Sequence, residues 1–257
     1  MRGAIHPLRS AKRLGRFLGG SKSCYICRRT FRSFRPYRGG YASVPPFVRE
    51  LDVIGSDVEN FSCPYCDCHD RERHLSMYFD KLNLWARVTG SSVIHFAPED
   101  KLAQRIMSQK PALYVKADLF PNSPGVERID ITAIPRPGES FDLLICNHVL
   151  EHVHDDRRAL SEIFRVLKPG GNAILQTPFS FFLSNTFCDP SINTDALRNR
   201  YYAQEDHVRL YGRDLFTRIE GSGLSLRLRT HAQCLSDFDA SIYGVNARED
   251  LILAVKP

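Results

Sequence analysis

The chain has 257 residues, 43% of them hydrophobic, which is enough to bury one large core and a small appended segment. Its formal net charge of +6 is unevenly distributed. Residues 1–49 carry twelve Lys or Arg and no Asp or Glu, and the remainder carries 23 basic and 29 acidic side chains. No apolar run reaches about 18 residues, so the sequence predicts no membrane span.

Residues 1–22 are predicted to form a flexible basic arm. They lack the apolar stretch of a secretory signal, although their composition also resembles an organelle transit peptide. Eight cysteines without such a signal fit a reducing compartment, so we expect a cytoplasmic protein. A basic arm on an acidic body can attract RNA or contact its own domain, and we favour the second interpretation.

Two cysteine pairs, Cys24 with Cys27 and Cys63 with Cys66, each enclose two residues. This spacing lets both sulfurs of a pair reach one ion at about 2.3 Å, and two pairs complete a tetrahedral site. We predict structural Zn²⁺ bound by these four thiolates, which leave no position for a catalytic water. Cys68 or His69 are alternative ligands. Free buried thiols are the alternative to a metal site.

Arginine alternates with phenylalanine and tyrosine over residues 28–41. Such a pattern is typical of sites that bind single-stranded nucleic acid, where arginine contacts phosphate and rings stack on bases. It also suits the packing of a small zinc loop that has little core. We favour the packing interpretation, so nucleic acid remains a partner that the sequence allows without indicating it.

Hydrophobic periodicity predicts the next elements. A helix begins near Arg71 and carries an apolar stripe of Leu75, Tyr78, Phe79, Leu82 and Trp85. Strands are predicted over residues 92–96 and 112–117, a helix over 101–109, and a third strand over 128–132.

Residues 141–178 are the most informative stretch. An apolar strand over 141–146 leads through a polar turn into an amphipathic helix, which Lys168-Pro-Gly-Gly171 ends. A second apolar run over 173–175 follows. Strand, helix and strand at this spacing predict a right-handed βαβ unit of a parallel sheet, with a ligand at the carboxyl ends of the strands.

The sequence FDLLICNHVLEHV, followed by RVLKPGG and a strand ending in proline, resembles class I S-adenosylmethionine (AdoMet) methyltransferases of the ubiquinone-biosynthesis type, methyltransferase type 11. CPYC, RERH and HFAPE resemble a subgroup with an N-terminal zinc-binding segment. The resemblance covers nearly all of residues 24–257. It implies a Rossmann-like α/β fold with a seven-stranded sheet, a zinc-binding segment over 23–72 and an AdoMet-dependent methyltransferase domain over 73–257.

The first strand of that domain departs from the usual pattern. Most relatives continue it into an acidic residue and a glycine-rich turn, whereas this chain has His95, Phe96, Ala97, Pro98 and Glu99 with no glycine. His95 takes the place of the acid, and the alanine still permits close approach to AdoMet. Proline removes a backbone donor. Glu99 either caps the next helix or binds the methionine amino group.

Asp118 follows Ala97 by 21 residues, which suits a carboxylate that accepts the ribose hydroxyls, although a turn cap is the alternative. The resemblance implies further cofactor contacts near the adenine and the sulfonium. These residues are Leu119, Asp130, Ile131, Asn147 and His148.

His148, Glu151 and His152 form an H-x-x-E-H motif. Zinc proteases carry this motif on a long helix, whereas here it follows a strand. Some small-RNA 2′-O-methyltransferases and ubiquinone O-methyltransferases bind a divalent cation at this place, which implies His148, Glu151, His152 and His207 as ligands. We favour a metal-free site in which His148, His152 or His207 is the catalytic base.

The C-terminal part contributes the substrate side. Residues 179–200 have no clear period and are predicted to form a lid or substrate loop. Relatives carry an H-x-R-x-Y segment beside the active site, which implies substrate contacts for Arg209 and Tyr211; packing is the alternative. A helix over 213–220 and two strands over 224–230 and 251–255 follow, the last antiparallel at the sheet edge.

The sequence therefore favours an enzyme that transfers the methyl group of AdoMet to an O, N or carboxyl group of a small-molecule or glycan acceptor. A methyltransferase of RNA or protein is the second hypothesis, with the basic zinc segment in recognition. A binding protein that has lost catalysis is the third, suggested by the glycine-free first turn. The sequence does not indicate an oligomeric state.

Overall fold

A computed structural model describes residues 19–257, so most of the predicted basic arm lies outside the described residues. The N-terminal segment forms a small antiparallel hairpin, β1 (Lys22–Ser23) with β2 (Thr30–Phe31). Helix α1 (Pro46–Glu50) and helix α2 (Asp70–Lys81) follow, with a 3-10 turn at Gly40–Ser43 before them.

Seven further strands form one sheet. They are β3 (Ser92–Phe96), β4 (Leu113–Asp118), β5 (Glu127–Arg128), β6 (Phe141–Cys146), β7 (Leu167–Ile174), β8 (Ser225–Arg229) and β9 (Leu251–Val255). Their order is β5-β4-β3-β6-β7-β9-β8. The first five are mutually parallel, and β9 is antiparallel to β7 and to β8. The predicted seven-stranded α/β sheet is confirmed.

Helices cover both faces of this sheet. They are α3 (Asp100–Ser108), α4 (Asp156–Val166), α5 (Asp195–Tyr202), α6 (Asp214–Glu220), α7 (His231–Cys234) and α8 (Ala240–Tyr243), with 3-10 turns at Leu84–Arg87 and Leu150–His152. Leu144 packs with α4 and α6 on one face, while its neighbour Ile145 packs with α2 and α3 on the other. Successive strand residues point to opposite faces, so both sides of β6 are apolar.

Two predictions about strands are wrong in detail. The last strand, β9, is antiparallel as predicted, but it lies between β7 and β8, and β8 is the edge strand. The third strand is only two residues long, because its pairing with β4 ends at Asp118 opposite Arg128. In the part of the chain that is described, no helix is both long and apolar enough to cross a membrane.

Candidate functional site

The turn after β3 uses alanine where a left-handed backbone is required. Ala97 has φ +46° and donates its backbone N–H to Ala117 O at 2.8 Å. This conformation favours glycine and costs a residue with a Cβ about 1 kcal/mol. The glycine-free turn therefore follows a backbone path that glycine normally takes, with alanine as the smallest substitute.

A buried polar network supports this turn. His95 is fully buried and lies with Nε2 3.0 Å from Glu99 Oε2 and Nδ1 3.0 Å from Tyr114 Oη. Asn147 donates from Nδ2 to Glu99 Oε1 at 2.6 Å. Burial would raise the pKa of Glu99, but the hydrogen bond to His95 and the charges of His95 and Arg71 together outweigh it and lower that pKa. Glu99 is therefore ionised, and its hydrogen bond with His95 orients the carboxylate.

A cavity of about 690 Å³ opens at the carboxyl ends of β3 and β6; we call it the cofactor cavity. Its wall includes predicted cofactor residues Ala97, Pro98, Glu99, Asn147 and His148. Arg71, Glu72 and Lys101 also line this cavity and were not predicted from the sequence. The RERH sequence at the start of α2 was a signal for the first two, although it suggested only a helix.

Asp118 lines a neighbouring cavity of about 360 Å³, which shares Ala97, Pro98 and Asp100 with the cofactor cavity. Its Oδ1 accepts from the backbone N–H of Phe120 at 2.8 Å, so Asp118 also caps its own turn. The remaining predicted contacts lie outside these walls. Leu119 is 44% exposed, and Ile131 is buried in the core. Asp130 is exposed and its Oδ1 accepts from Thr132.

The turn after β6 also contains a left-handed residue, His148 with φ +54°. His148 is buried, with Nε2 3.1 Å from Glu249 Oε1 and Nδ1 3.4 Å from Glu151 Oε1. Burial alone would lower the pKa of His148, but hydrogen bonds to the two carboxylates raise it to about 9. His148 is therefore protonated at neutral pH, which argues against a general-base role.

Glu249 continues this network away from the cavity. Its Oε2 lies 3.5 Å from Nδ1 of His74, and Nε2 of His74 lies 2.9 Å from Nδ1 of His231. Burial would raise the pKa of Glu249, but the two histidines outweigh it and lower that pKa. Nothing in the sequence around Glu249 indicated this role, because its partners lie far away along the chain.

Glu151, His152 and His207 come together beside His148. One ligand atom from each lies within 4.8 Å of the others. Nδ1 of His207 lies 2.8 Å from Tyr202 O, while its Nε2 is buried without a hydrogen-bond partner. Thr177 donates to Glu151 Oε2 at 2.8 Å. The resemblance implied four ligands, and the structure groups these three of them. The fourth, His148, lies outside the group and pairs with both Glu151 and Glu249.

Arg209 and Tyr211 support the neighbouring turn. Arg209 is 4% exposed, forms an ion pair with Asp156 at 2.7 Å, and donates to the carbonyls of Val153 and His154. The buried Tyr211 hydroxyl donates to Asp156 Oδ2 at 3.0 Å. Neither residue lines the cavities described here, which favours packing over the predicted substrate contact.

The predicted zinc ligands form a cluster. The sulfurs of Cys24, Cys27, Cys63 and Cys66 all lie within 4.8 Å of one another. A fifth thiol, that of Cys68, is buried 3.4 Å from Cys24 Sγ. His69 instead precedes α2 and stacks on Phe61, with 4.4 Å between ring centres. The two predicted knuckles thus converge as an S4 site requires.

The arginine and aromatic side chains of residues 28–41 contact their own fold. Phe31 and Phe34 are fully buried beside the cysteine cluster. Arg28 lies over Tyr25, with its guanidinium carbon 4.2 Å from the ring centre. Arg38 pairs with Glu205. These contacts support the packing interpretation, because buried rings are not accessible to bases.

Residues 23–72, which contain the clustered cysteines, are called the cysteine segment. A third cavity, of about 450 Å³, lies between this segment and residues 199–210. Tyr37, Tyr41 and Phe61 supply rings to its wall, and His207 lines it from the opposite side. We call it the tyrosine-lined cavity. It shares Arg71, His148 and Gln204 with the cofactor cavity. The two cavities therefore meet near His148, in the turn after β6.

Comparison with known proteins gives consistent results. A family model described as "Methyltransferase domain" matches residues 88–175. A 49-residue stretch is 39% identical to a probable S-adenosylmethionine-dependent methyltransferase of Mycolicibacterium smegmatis and covers 19% of each chain. A 91-residue stretch is 30% identical to an uncharacterized methyltransferase of Bacillus subtilis, over 34% of this chain and 36% of the relative. Both matches span a minority of the relatives' length.

The fold is similar to a crystal structure of an S-adenosylmethionine dependent methyltransferase from Mesorhizobium loti. The TM-score is 0.51 at 15% identity, and the match covers 70% of this chain and 97% of that chain. At this identity the similarity concerns the fold.

Proposed function

We propose that the chain is a class I S-adenosylmethionine-dependent methyltransferase, which the match to a methyltransferase domain and the shared fold support. It would transfer a methyl group from AdoMet to an O, N or carboxyl acceptor on a small molecule or glycan. Transfer is an in-line SN2 step, in which positioning of the two reactants supplies most of the rate. The observation that carries this proposal is a cofactor cavity at the carboxyl ends of β3 and β6, joined to a second cavity on the acceptor side.

The cofactor would lie over the β3 turn. Ala97 lets the backbone approach the methionine moiety, and the Glu99 carboxylate suits its amino group. Asp118 suits the ribose hydroxyls, since it lies at the end of β4 in the adjoining cavity. Asn147 and His148 would lie beside the sulfonium, at the end of β6. Leu119, Asp130 and Ile131 would contribute only through the shape of the loops around them.

The acceptor proton would pass to His152 or His207. His148 is held as an imidazolium by Glu151 and Glu249, so it orients the turn and is not the base. Burial lowers the pKa of His207, which leaves the ring neutral and able to accept a proton at Nε2. A base is required only for an acceptor that keeps its proton until attack.

Glu151, His152 and His207 also fit a divalent cation. The unpartnered, buried Nε2 of His207 points to this fit, because its Nδ1 faces a backbone carbonyl, the arrangement that orients histidine ligands in metal sites. A bound cation would lower the pKa of an acceptor hydroxyl. Electron paramagnetic resonance of added Mn²⁺ decides between the two roles of His207, because Nε2 cannot both bind a cation and accept a proton. One ion bound by the wild type and none by His207→Phe would make His207 a ligand, and no bound ion in the wild type would leave it as a base.

Structural zinc is proposed at Cys24, Cys27, Cys63 and Cys66. A buried cation nearby supports it. Arg73 is fully buried and pairs with no carboxylate in residues 19–257, and its guanidinium lies 3.9 Å from Cys68 Sγ. Four thiolates with Zn²⁺ carry a net charge of −2, which would compensate this guanidinium.

Label transfer tests the proposed function. Purified protein is incubated with methyl-labelled AdoMet and a small-molecule extract, an RNA fraction or a protein fraction. We expect label in the small-molecule fraction, and none with Asp118→Ala. Label confined to RNA or protein would favour the second hypothesis, and AdoMet binding without transfer to any fraction would favour the binding-protein hypothesis.

A further inference from the structure

The tyrosine-lined cavity differs in character from the cofactor cavity. Besides its rings, its wall is built from aliphatic side chains, among them Val44, Val48 and Val58. The cofactor cavity instead has several acidic groups, including Glu72, Glu99 and Asp206. An apolar molecule with a ring suits the first cavity better than the second, because burial of apolar surface stabilises binding by about 25 cal/mol per Å².

The wall of this cavity is fixed to the segments that follow β7 and precede β9. Ile54 and Phe179 exchange backbone hydrogen bonds of 2.8 and 3.0 Å. Asn246 donates from Nδ2 to Gly55 O at 2.7 Å, and Asp52 forms a two-pronged ion pair with Arg248 at 2.7 and 2.8 Å. The cavity is therefore held open by several independent contacts, as a preformed binding site is.

Two of the four Arg and Asp side chains on the cavity wall are already neutralised by ion pairs. Arg38 pairs with Glu205, and Asp52 pairs with Arg248. Within residues 19–257, Arg49 and Arg71 form no ion pair, and of these two only Arg71 has a buried Nε without a hydrogen-bond partner. A guanidinium left in this state favours an anionic ligand, since charge-assisted, two-pronged bonds to carboxylate or phosphate satisfy several donors at once.

The position of Arg71 assigns it to the acceptor side. It lines both cavities, but its guanidinium carbon lies 5.8 Å from the ring centre of Phe61, which belongs to the tyrosine-lined cavity alone. We infer that this cavity binds an apolar, ring-bearing acceptor whose carboxylate or phosphate pairs with Arg71. This inference rests on the proposed function, because it identifies the class of molecule that would receive the methyl group.

Calorimetric titration of the zinc-loaded, full-length protein tests the inference. The protein is first saturated with S-adenosylhomocysteine (SAH) and then titrated with 4-hydroxybenzoate, phenyl phosphate and the neutral 4-hydroxybenzamide. Glucuronate serves as an anion with a polar ring. We expect at least one aromatic anion to bind ten-fold or more tightly than the amide and than glucuronate. Arg71→Met should remove the preference over the amide, and Arg71→Lys should restore part of it.

The matched control is Arg49→Met, because Arg49 is an exposed arginine on the same wall and lies over Tyr41. It should change the preference for anions less than three-fold. Equal binding of anions and amide by the SAH-loaded wild type would overturn the inference, as would tighter binding of glucuronate. A ten-fold loss of SAH affinity in Arg71→Met with unchanged anion binding would also overturn it, by assigning Arg71 to the cofactor. Failure of the wild type to bind SAH would instead count against the proposed function.

Discussion

Arg73 joins the cysteine segment to the catalytic domain, and its replacement by methionine is predicted to be strongly destabilising. Its guanidinium donates to five backbone carbonyls at 2.5–3.1 Å, those of Asn60, Phe61, Cys68, Tyr243 and Gly244. Three of these carbonyls belong to the cysteine segment, and two belong to the C-terminal end of α8, at Tyr243 and the following Gly244. The side chain also lies over Phe34, 4.0 Å from its ring centre.

The magnitude follows from the carbonyls that would lose their donor. Methionine matches the apolar stem of arginine but donates no hydrogen bond. Each buried acceptor left unpaired costs about 1–3 kcal/mol. Even if water reaches three of the five carbonyls, the remaining two predict a loss of about 3 kcal/mol in the free energy of unfolding. Arg73→Lys retains charge and three donors, so its cost should be smaller.

Denaturation of the zinc-loaded protein by guanidinium chloride measures this loss in the free energy of unfolding. Arg71→Met is the matched control, because Arg71 lies two residues earlier on the same helix and has no ion pair in the described part of the chain. It should cost less than about 1 kcal/mol. If Arg73→Met is destabilised by no more than this control, the assignment of Arg73 as the joining residue is refuted.

Three further outcomes are expected. Ala97→Gly should raise the free energy of unfolding by about 0.5–1 kcal/mol, since glycine adopts φ +46° without the cost of a Cβ. A lower free energy of unfolding for this variant, measured by urea denaturation, would contradict the strained turn. Burial and the nearby His74 together lower the pKa of His231 to about 4, so its contribution to stability is present above pH 6.5 and is lost towards pH 4. His231→Gln should remove up to about 3 kcal/mol of that pH dependence, as unfolding curves at both pH values would reveal. Elemental analysis should find one zinc per chain in the wild type and none in Cys63→Ser, and full zinc retention by the variant would exclude Cys63 as a ligand.

The sequence predicted those elements that local patterns determine. Strand β6 has the predicted bounds, Phe141–Cys146, because an apolar run with both faces buried ends at polar turns on each side. The convergence of Cys24 with Cys63 was predictable because a shared S4 zinc site would require it. The order of the C-terminal strands was not predictable from the sequence. An internal strand such as β9 has a pattern similar to that of an edge strand, and only its pairing with two neighbours distinguishes it.

Part of the candidate site was also predictable from local patterns. Ala97, Glu99 and Asn147 follow strand ends, and parallel strands bring such ends together. Glu249 was missed because its contact with His148 joins residues 101 positions apart. The tyrosine-lined cavity was missed because two loops form it, and no periodic pattern relates them.

The central claim, that the cavity at the β3 turn binds AdoMet, is tested most directly by titrating the zinc-loaded protein with SAH. Asp118→Ala and Asp130→Ala form a matched pair, because the sequence suggested both as cofactor contacts and only Asp118 lines the adjoining cavity. We predict micromolar binding that Asp118→Ala weakens at least ten-fold and Asp130→Ala leaves within two-fold. No binding by the wild type, or equal losses in both variants, would contradict the account.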